Sequence, residues 1–162
     1  MRIGVSACLL GMPVRYDGGH KASAALMAIE GAGVSWMPIC PEVECGLGIP
    51  REPMRLEAEP DALALRTVTT RLDHTHRLIA WCAWRLDGLE RAGVAGFVFK
   101  SRSPSCGLAG VPVCDAQGHP VGEGAGLFAR ACGQRFPGLP LVEGDRVVDW
   151  RGWLALCAKR GR

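Results

Sequence analysis

Three short apolar runs constrain this chain more than any other feature. Residues 3–7 (IGVSA), 34–39 (VSWMPI) and 94–99 (VAGFVF) are rich in β-branched or aromatic side chains and are bounded by turn residues. Near-continuous apolar runs of this length belong to strands covered on both faces. Between them the apolar spacing becomes helical. One helix is predicted over 21–30, stopping at Gly31 and Gly33. A long one is predicted over 69–92, with Leu72, Ile79, Leu86 and Leu89 near heptad spacing, Thr69 or Thr70 as N-cap and Gly93 after it. A shorter helix is expected over 126–134. A last one should start behind Asp149, with Trp150, Trp153, Leu154 and Cys157 on one face, and a short strand or hairpin is expected near 141–148. This alternation predicts an α/β fold: a three-layer, Rossmann-like, open and mainly parallel sheet with flanking helices. At 162 residues the chain is read as one domain, 1–162. Two stretches, 40–61 and 100–124, are so rich in Pro and Gly that they are expected to be irregular and functional.

Composition narrows the class. With 48% hydrophobic and 22% charged residues the chain is not a disordered one. No apolar run approaches the roughly 20 residues that span a bilayer, and residues 1–10 are too short and mixed for a signal peptide, so a cytoplasmic location is expected. A net charge of +3 gives no reason to invoke nucleic acid or an anionic membrane. The basic tail at 159–162 is read as a solvated terminus.

Eight cysteines in 162 residues is high for a reducing compartment, where clustered thiols point to metal or catalysis. Cys8 directly follows the first apolar run, Cys40 the second, and Cys106 lies seven residues past the third. In a parallel sheet the carboxyl ends of all strands share the edge at which ligands bind, so these three thiols are expected to meet. Cys82, Cys132 and Cys157 fall in helical patterns and are read as packing residues, as is Cys114 in a strand or loop. Cys45 is either a further ligand or a neighbour. Thiolates suit zinc or an iron–sulfur cluster. Structural zinc favours short-spaced pairs such as C-x2-C, and the sequence has none. Three distant single cysteines fit better a cluster held at three irons, with the fourth free for substrate. Strand-end cysteines without any metal remain the plain alternative.

Three longer motifs carry a resemblance. Val5-Ser6-Ala7-Cys8-Leu9-Leu10-Gly11 with Val14-Arg15-Tyr16-Asp17-Gly18-Gly19-His20-Lys21, then Cys40-Pro41-Glu42-Val43 with Gly46-Leu47 and Ile49-Pro50-Arg51, then Lys100-Ser101-Arg102-Ser103-Pro104-Ser105-Cys106-Gly107 stand in order. Together with Gly122-Glu123-Gly124-Ala125-Gly126-Leu127-Phe128 they resemble the domain-of-unknown-function family 523, whose characterised members are 2-thiouracil desulfidases. The resemblance implies a [4Fe-4S] enzyme, held by Cys8, Cys40 and Cys106, that removes sulfur from 2-thiouracil or a related thiolated pyrimidine without redox change. Many family sequences carry another residue at the position of Cys45. Longer relatives with a second domain act on thiolated uridine in RNA; this chain is expected to lack that domain.

The chemistry needs a base, because water is a poor nucleophile at neutral pH. Glu42, two residues past Cys40, is the candidate, with Glu44 in reserve. Ser101 and Ser103 are candidates for proton relay to the ring nitrogen or the sulfur, while Ser105 is expected to face away. Arg15 and Lys21 either shape a turn or hold a substrate oxygen. The Gly122-to-Gly126 turn offers backbone N–H groups at a helix start without specifying a phosphate. His74 and His76, two apart on a helix, do not share a face and make no joint metal site. The competing readings are a non-catalytic iron–sulfur or zinc protein that senses redox state, and a desulfidase of 4-thiouridine nucleotides or thiolated RNA. The expected partner is a small molecule, with no membrane, and the protein is read as a monomer or homodimer.

Overall fold

The computed structural model describes residues 1–29 and 33–160. Its centre is a four-stranded parallel sheet in the order β2-β1-β5-β8, formed by β1 (Arg2–Ser6), β2 (Ser35–Ile39), β5 (Phe97–Phe99) and β8 (Leu141–Glu143). Ile3, Val5 and Val98 face one side and pack on Leu26 of α1 (Ala24–Ala28) and on Trp153 and Cys157 of α5 (Trp150–Arg160). Ile39, Phe97 and Phe99 face the other and pack on α3 (Thr75–Arg91) and α4 (Leu127–Arg135). Phe97 lies flat on Gly4 of β1, where a Cβ would come within 2.2 Å of the ring. This is the three-layer, mainly parallel α/β arrangement read from the sequence.

The two stretches expected to be irregular instead contribute to a second sheet. β3 (Met54–Ala58), β4 (Leu63–Thr67), β6 (Val111–Cys114) and β7 (Pro120–Gly124) pair in the order β4-β3-β6-β7, with β3 and β6 parallel and both outer pairings antiparallel. These strands escape a reading by apolar runs because buried and outward positions are mixed along them and one buried position is the charged Glu57. β3 puts Leu56 and Glu57 inside, β6 turns Pro112 outward, and the edge strand β7 is mostly exposed. Edge and outward positions tolerate Pro and Gly.

The long helix also starts later than expected. Glu52 accepts the backbone N–H groups of Thr69 and Thr70, and Leu72 N donates to Thr67 Oγ1, so 67–72 is tied down as a loop. Thr75 N then donates to Asp73 Oδ1 at 2.8 Å to open α3. Asp149 caps α5 as expected, accepting from Gly152 N at 3.0 Å. Ser23 accepts from Leu26 N to start α1, which is only five residues long. The expected stop at Gly31 lies outside the described residues, as do Gly161 and Arg162 of the tail. Among the described residues no helix is long and apolar enough to cross a membrane.

Candidate active site

The carboxyl ends of β1, β2 and β5 open onto one cavity of about 360 Å3. Strand order reverses at β1, whose neighbours are β2 on one side and β5 on the other, and the crevice at such a switch point is where α/β sheets bind ligands. Cys8, Cys40 and Cys106 all line this cavity, with Glu42, Arg15, Arg51, Lys100, Ser101 and Ser103.

Each thiol is delivered by a different local device. β1 ends in a 3-10 turn over Ala7–Leu10 that carries Cys8 and closes on Gly11 in the left-handed region. Cys40 is the N-cap of the short helix α2 (Pro41–Glu44), with Pro41 at the first helical position, where the missing N–H costs nothing. Cys106 sits in the loop after β5. There Ser103 Oγ accepts from Ser105 N and from Cys106 N (3.1 Å), folding the loop back on itself. Helix α4 then seals that loop. Leu127 N donates to Pro104 O, and Phe128 N and Ala129 N donate to Ser105 O. The amide groups offered by the Gly-rich turn are therefore used to anchor the Cys106 loop. Ser6 joins the strand ends, accepting from Lys100 N at 3.0 Å and bonding the Cys106 thiol.

All three thiols are free and buried. Burial pushes the Cys8 thiol up, with Lys100 and Arg15 opposing. Burial, reinforced by the Glu42 charge, raises Cys40 to about 12 and Cys106 well above its ordinary value. Buried sulfurs beside a carboxylate favour a cationic group among them, and such a donor set suits iron or another thiophilic metal. These side chains have the chemistry for such a group, although among the described residues no three His, Cys, Asp or Glu stand grouped as a ready site for a single metal ion. Cys45 does not line the cavity; its sulfur turns to Glu42 O of its own helix at 3.3 Å and packs against the core. Cys82, Cys114, Cys132 and Cys157 are buried away from the site.

Glu42 is only 8% exposed. Its Oε1 accepts from Ser105 Oγ at 2.7 Å, and its Oε2 lies 3.5 Å from Arg51 Nη2 and 3.5 Å from Cys40 Sγ. Ser105, expected to face away, is fully buried and holds the carboxylate from within the Cys106 loop. Arg51 is itself fixed by Val14 O and Gly48 O, and its buried Nε has no partner among the described residues. Glu44 turns aside, accepting from Cys40 N and pairing with Arg85. Arg15 and Lys21 both line the cavity, though Arg15 is engaged by Asp17 at 3.5 Å and lies over the Tyr16 ring.

Ser101 and Ser103 also line the cavity but differ in their bonding. Ser101 Oγ donates to Asp145 Oδ2 at 2.5 Å, which holds the Asp145 carboxyl below its ordinary value. Ser103 Oγ accepts two backbone N–H groups, so its own hydrogen is still available. Asp145, just past β8, carried no local signal in the sequence, because only the fold brings it to Ser101. Ser105 and Arg51 did lie inside the motifs, but nothing in the residue pattern said which side chain each would meet. His74 and His76 lie outside the cavity.

Comparisons with known proteins find chains similar to this one. A family model described as 2-thiouracil desulfurase matches residues 3–144. An uncharacterized protein, YbbK of Bacillus subtilis (strain 168), is 30% identical over 108 residues, 64% of this chain and 71% of that protein. A solved structure of the [4Fe-4S]-dependent thiouracil desulfidase TudS superposes with a TM-score of 0.76 at 30% identity, covering 96% of this chain and 98% of that one.

Proposed function

The chain belongs to the 2-thiouracil desulfurase family, and from that premise we propose that it is a [4Fe-4S]-dependent desulfidase converting 2-thiouracil, or a related thiolated pyrimidine, to uracil and hydrosulfide. The reaction exchanges C=S for C=O with water as the oxygen source, so atoms balance without any electron donor. The observation that supports it most is the meeting of Cys8, Cys40 and Cys106 beside Glu42 in one strand-end cavity. Cys8, Cys40 and Cys106 would hold the cluster, and its iron would supply a thiophilic Lewis acid for the thiocarbonyl sulfur.

The chain's own residues do the rest. Ser105 and Arg51 fix the Glu42 carboxylate with Oε2 toward Cys40. Glu42 takes the proton of the attacking water. Ser103 donates to the ring nitrogen or to the departing sulfur through the hydrogen its backbone contacts leave free. Buried walls of the cavity limit competing water.

Purification without oxygen, followed by iron and sulfide analysis and a thiopyrimidine panel, tests this reading. About four irons and four sulfides per chain with uracil formation from 2-thiouracil are expected. Colourless zinc-loaded protein rejects the cluster, and an iron-loaded protein inert toward 2-thiouracil, 4-thiouracil and thiouridine monophosphate points to a non-catalytic sensor. Single replacement by alanine should abolish iron at Cys8, Cys40 and Cys106 and retain it at Cys45; loss at Cys45 with retention at Cys40 overturns the ligand set.

A further inference from the structure

Among the cations that line the cavity, Lys100 stands apart. Arg15 is matched by Asp17 and Arg51 by Glu42, whereas Lys21 and Arg102 sit exposed at the rim. Lys100 is half-buried and pairs directly with no carboxylate among the described residues; its Nζ donates instead to Ser101 O at 2.7 Å and to Ser101 Oγ at 3.2 Å. An ammonium has three N–H donors, so one is left for the cavity. Its backbone is anchored as well, because Lys100 N donates to Ser6 Oγ at the crevice between β1 and β5.

Ser101 holds this ammonium through an unusual division of labour. The side chain is 6% exposed, and its hydroxyl proton is committed outward to Asp145 at 2.5 Å. That leaves the Ser101 lone pairs for Lys100. The hydroxyl is therefore an acceptor toward the cavity, not the proton donor that its position in the motif suggests.

We propose that Lys100 binds the ring oxygen that a thiouracil retains, and that Asp145, acting through Ser101, is a positioning residue that keeps the ammonium there. The inference rests on the desulfidase reading and adds to it a basis for substrate choice. Addition of water to the thiocarbonyl carbon puts the electron pair on the sulfur and frees the adjacent ring nitrogen's lone pair for the remaining carbonyl, so the ring oxygen gains density that a fixed cation stabilises. A ring without that oxygen leaves the half-buried ammonium unanswered and is selected against.

The test uses the iron-loaded enzyme with 2-thiouracil and with pyrimidine-2-thione, which keeps the thiocarbonyl and lacks the ring oxygen. Binding of uracil and of pyrimidin-2-one provides a second readout independent of turnover. The unaltered enzyme should favour the oxygen-bearing ring by roughly tenfold to a hundredfold in kcat/KM and in affinity, the range expected of a charge-assisted hydrogen bond. Lys100→Met should erase that preference at unchanged iron and sulfide content, Lys100→Arg should restore part of it, and Asp145→Asn should lower it in the same direction. Equal losses on both rings, or a preference that survives Lys100→Met, overturn the assignment while leaving the desulfidase reading standing. An unaltered holoenzyme that turns over neither ring overturns both.

Discussion

Glu42 is a carboxylate withdrawn from water, and its usefulness as a base depends on which oxygen is free. Ser105 occupies Oε1, which leaves Oε2 as the oxygen beside Cys40. Ser105→Ala should therefore loosen the carboxylate without removing it. A hydrogen bond to a buried charge contributes about 1.5–3 kcal/mol, so iron-normalised turnover should fall by roughly one to two orders of magnitude. Glu42→Gln removes the base itself and should cost about 10²–10⁴-fold in kcat with iron retained; single-turnover assays on both variants, checked for iron, separate the two effects. At this scale the candidate ligands were legible because strand-end cysteines mark a parallel-sheet edge in any order of strands. The supporting contacts were not. Which hydroxyl of 101, 103 and 105 meets Glu42, which meets Asp145 and which caps the loop is decided by the fold of the Cys106 loop against α2, α4 and β8, and no spacing rule encodes it.

The elements around the site are joined at a few backbone contacts, and Gly126 is the tightest. A Cβ there would lie 2.5–2.8 Å from Ser105 C, Ser105 O and Cys106 N, all of them backbone atoms that cannot swing aside. Gly126→Ala should push α4 off the Cys106 loop, destabilise the fold by about 1–3 kcal/mol and lower iron content, as read by thermal melts and metal analysis. The second sheet carries a different kind of junction. Glu57 of β3 is buried, and Arg71, Arg55 and Arg66 surround it. Their hydrogen bonds, Arg71 foremost, hold its carboxyl down to about 2 from 4.5. Because the folded value lies below the unfolded one, this stabilisation is complete above about pH 4.5 and is lost as the pH falls toward 2. It amounts to at most about 3 kcal/mol, since the guanidinium groups remain partly open to water. Glu57→Gln should lower stability at neutral pH and flatten the acid limb of the stability profile between those values, as followed by denaturant melts across pH. The parallel sheet was legible because its strands are apolar on both faces. The second sheet was not, because a buried Glu57, an outward Pro112 and an exposed β7 break both the apolar run and the simple alternation that mark a strand.

Across the whole molecule the cavity is also where side chains from distant parts of the chain are brought together. Cys8 comes from the turn after β1, Cys40 from the cap of α2 and Cys106 from a loop sealed by α4. Their thiols are buried, and those of Cys40 and Cys106 suffer further from the charge on Glu42. In the metal-free protein that arrangement keeps the sulfurs protonated, so the thiols themselves add no charge-based attraction between the three segments. A shared cluster reverses the balance, since it supplies the cationic partner and cross-links segments far apart in sequence. A cross-link of this span constrains the unfolded chain by about 2–4 kcal/mol, and for a domain of this size each kcal/mol moves the midpoint by about 2–4 °C. Removing the cluster with chelator under anaerobic conditions should therefore lower the melting temperature by about 5–15 °C, with the circular dichroism at low temperature nearly unchanged because, of the buried residues of the two hydrophobic clusters, only Cys8, Ile39 and Cys106 line the cavity. Cys106→Ala should melt at the temperature of the metal-free protein whether or not iron and sulfide are offered, and Cys45→Ala should retain most of the gain on loading. Equal melting temperatures for the loaded and stripped protein would mean that Cys8, Cys40 and Cys106 do not grip one common group.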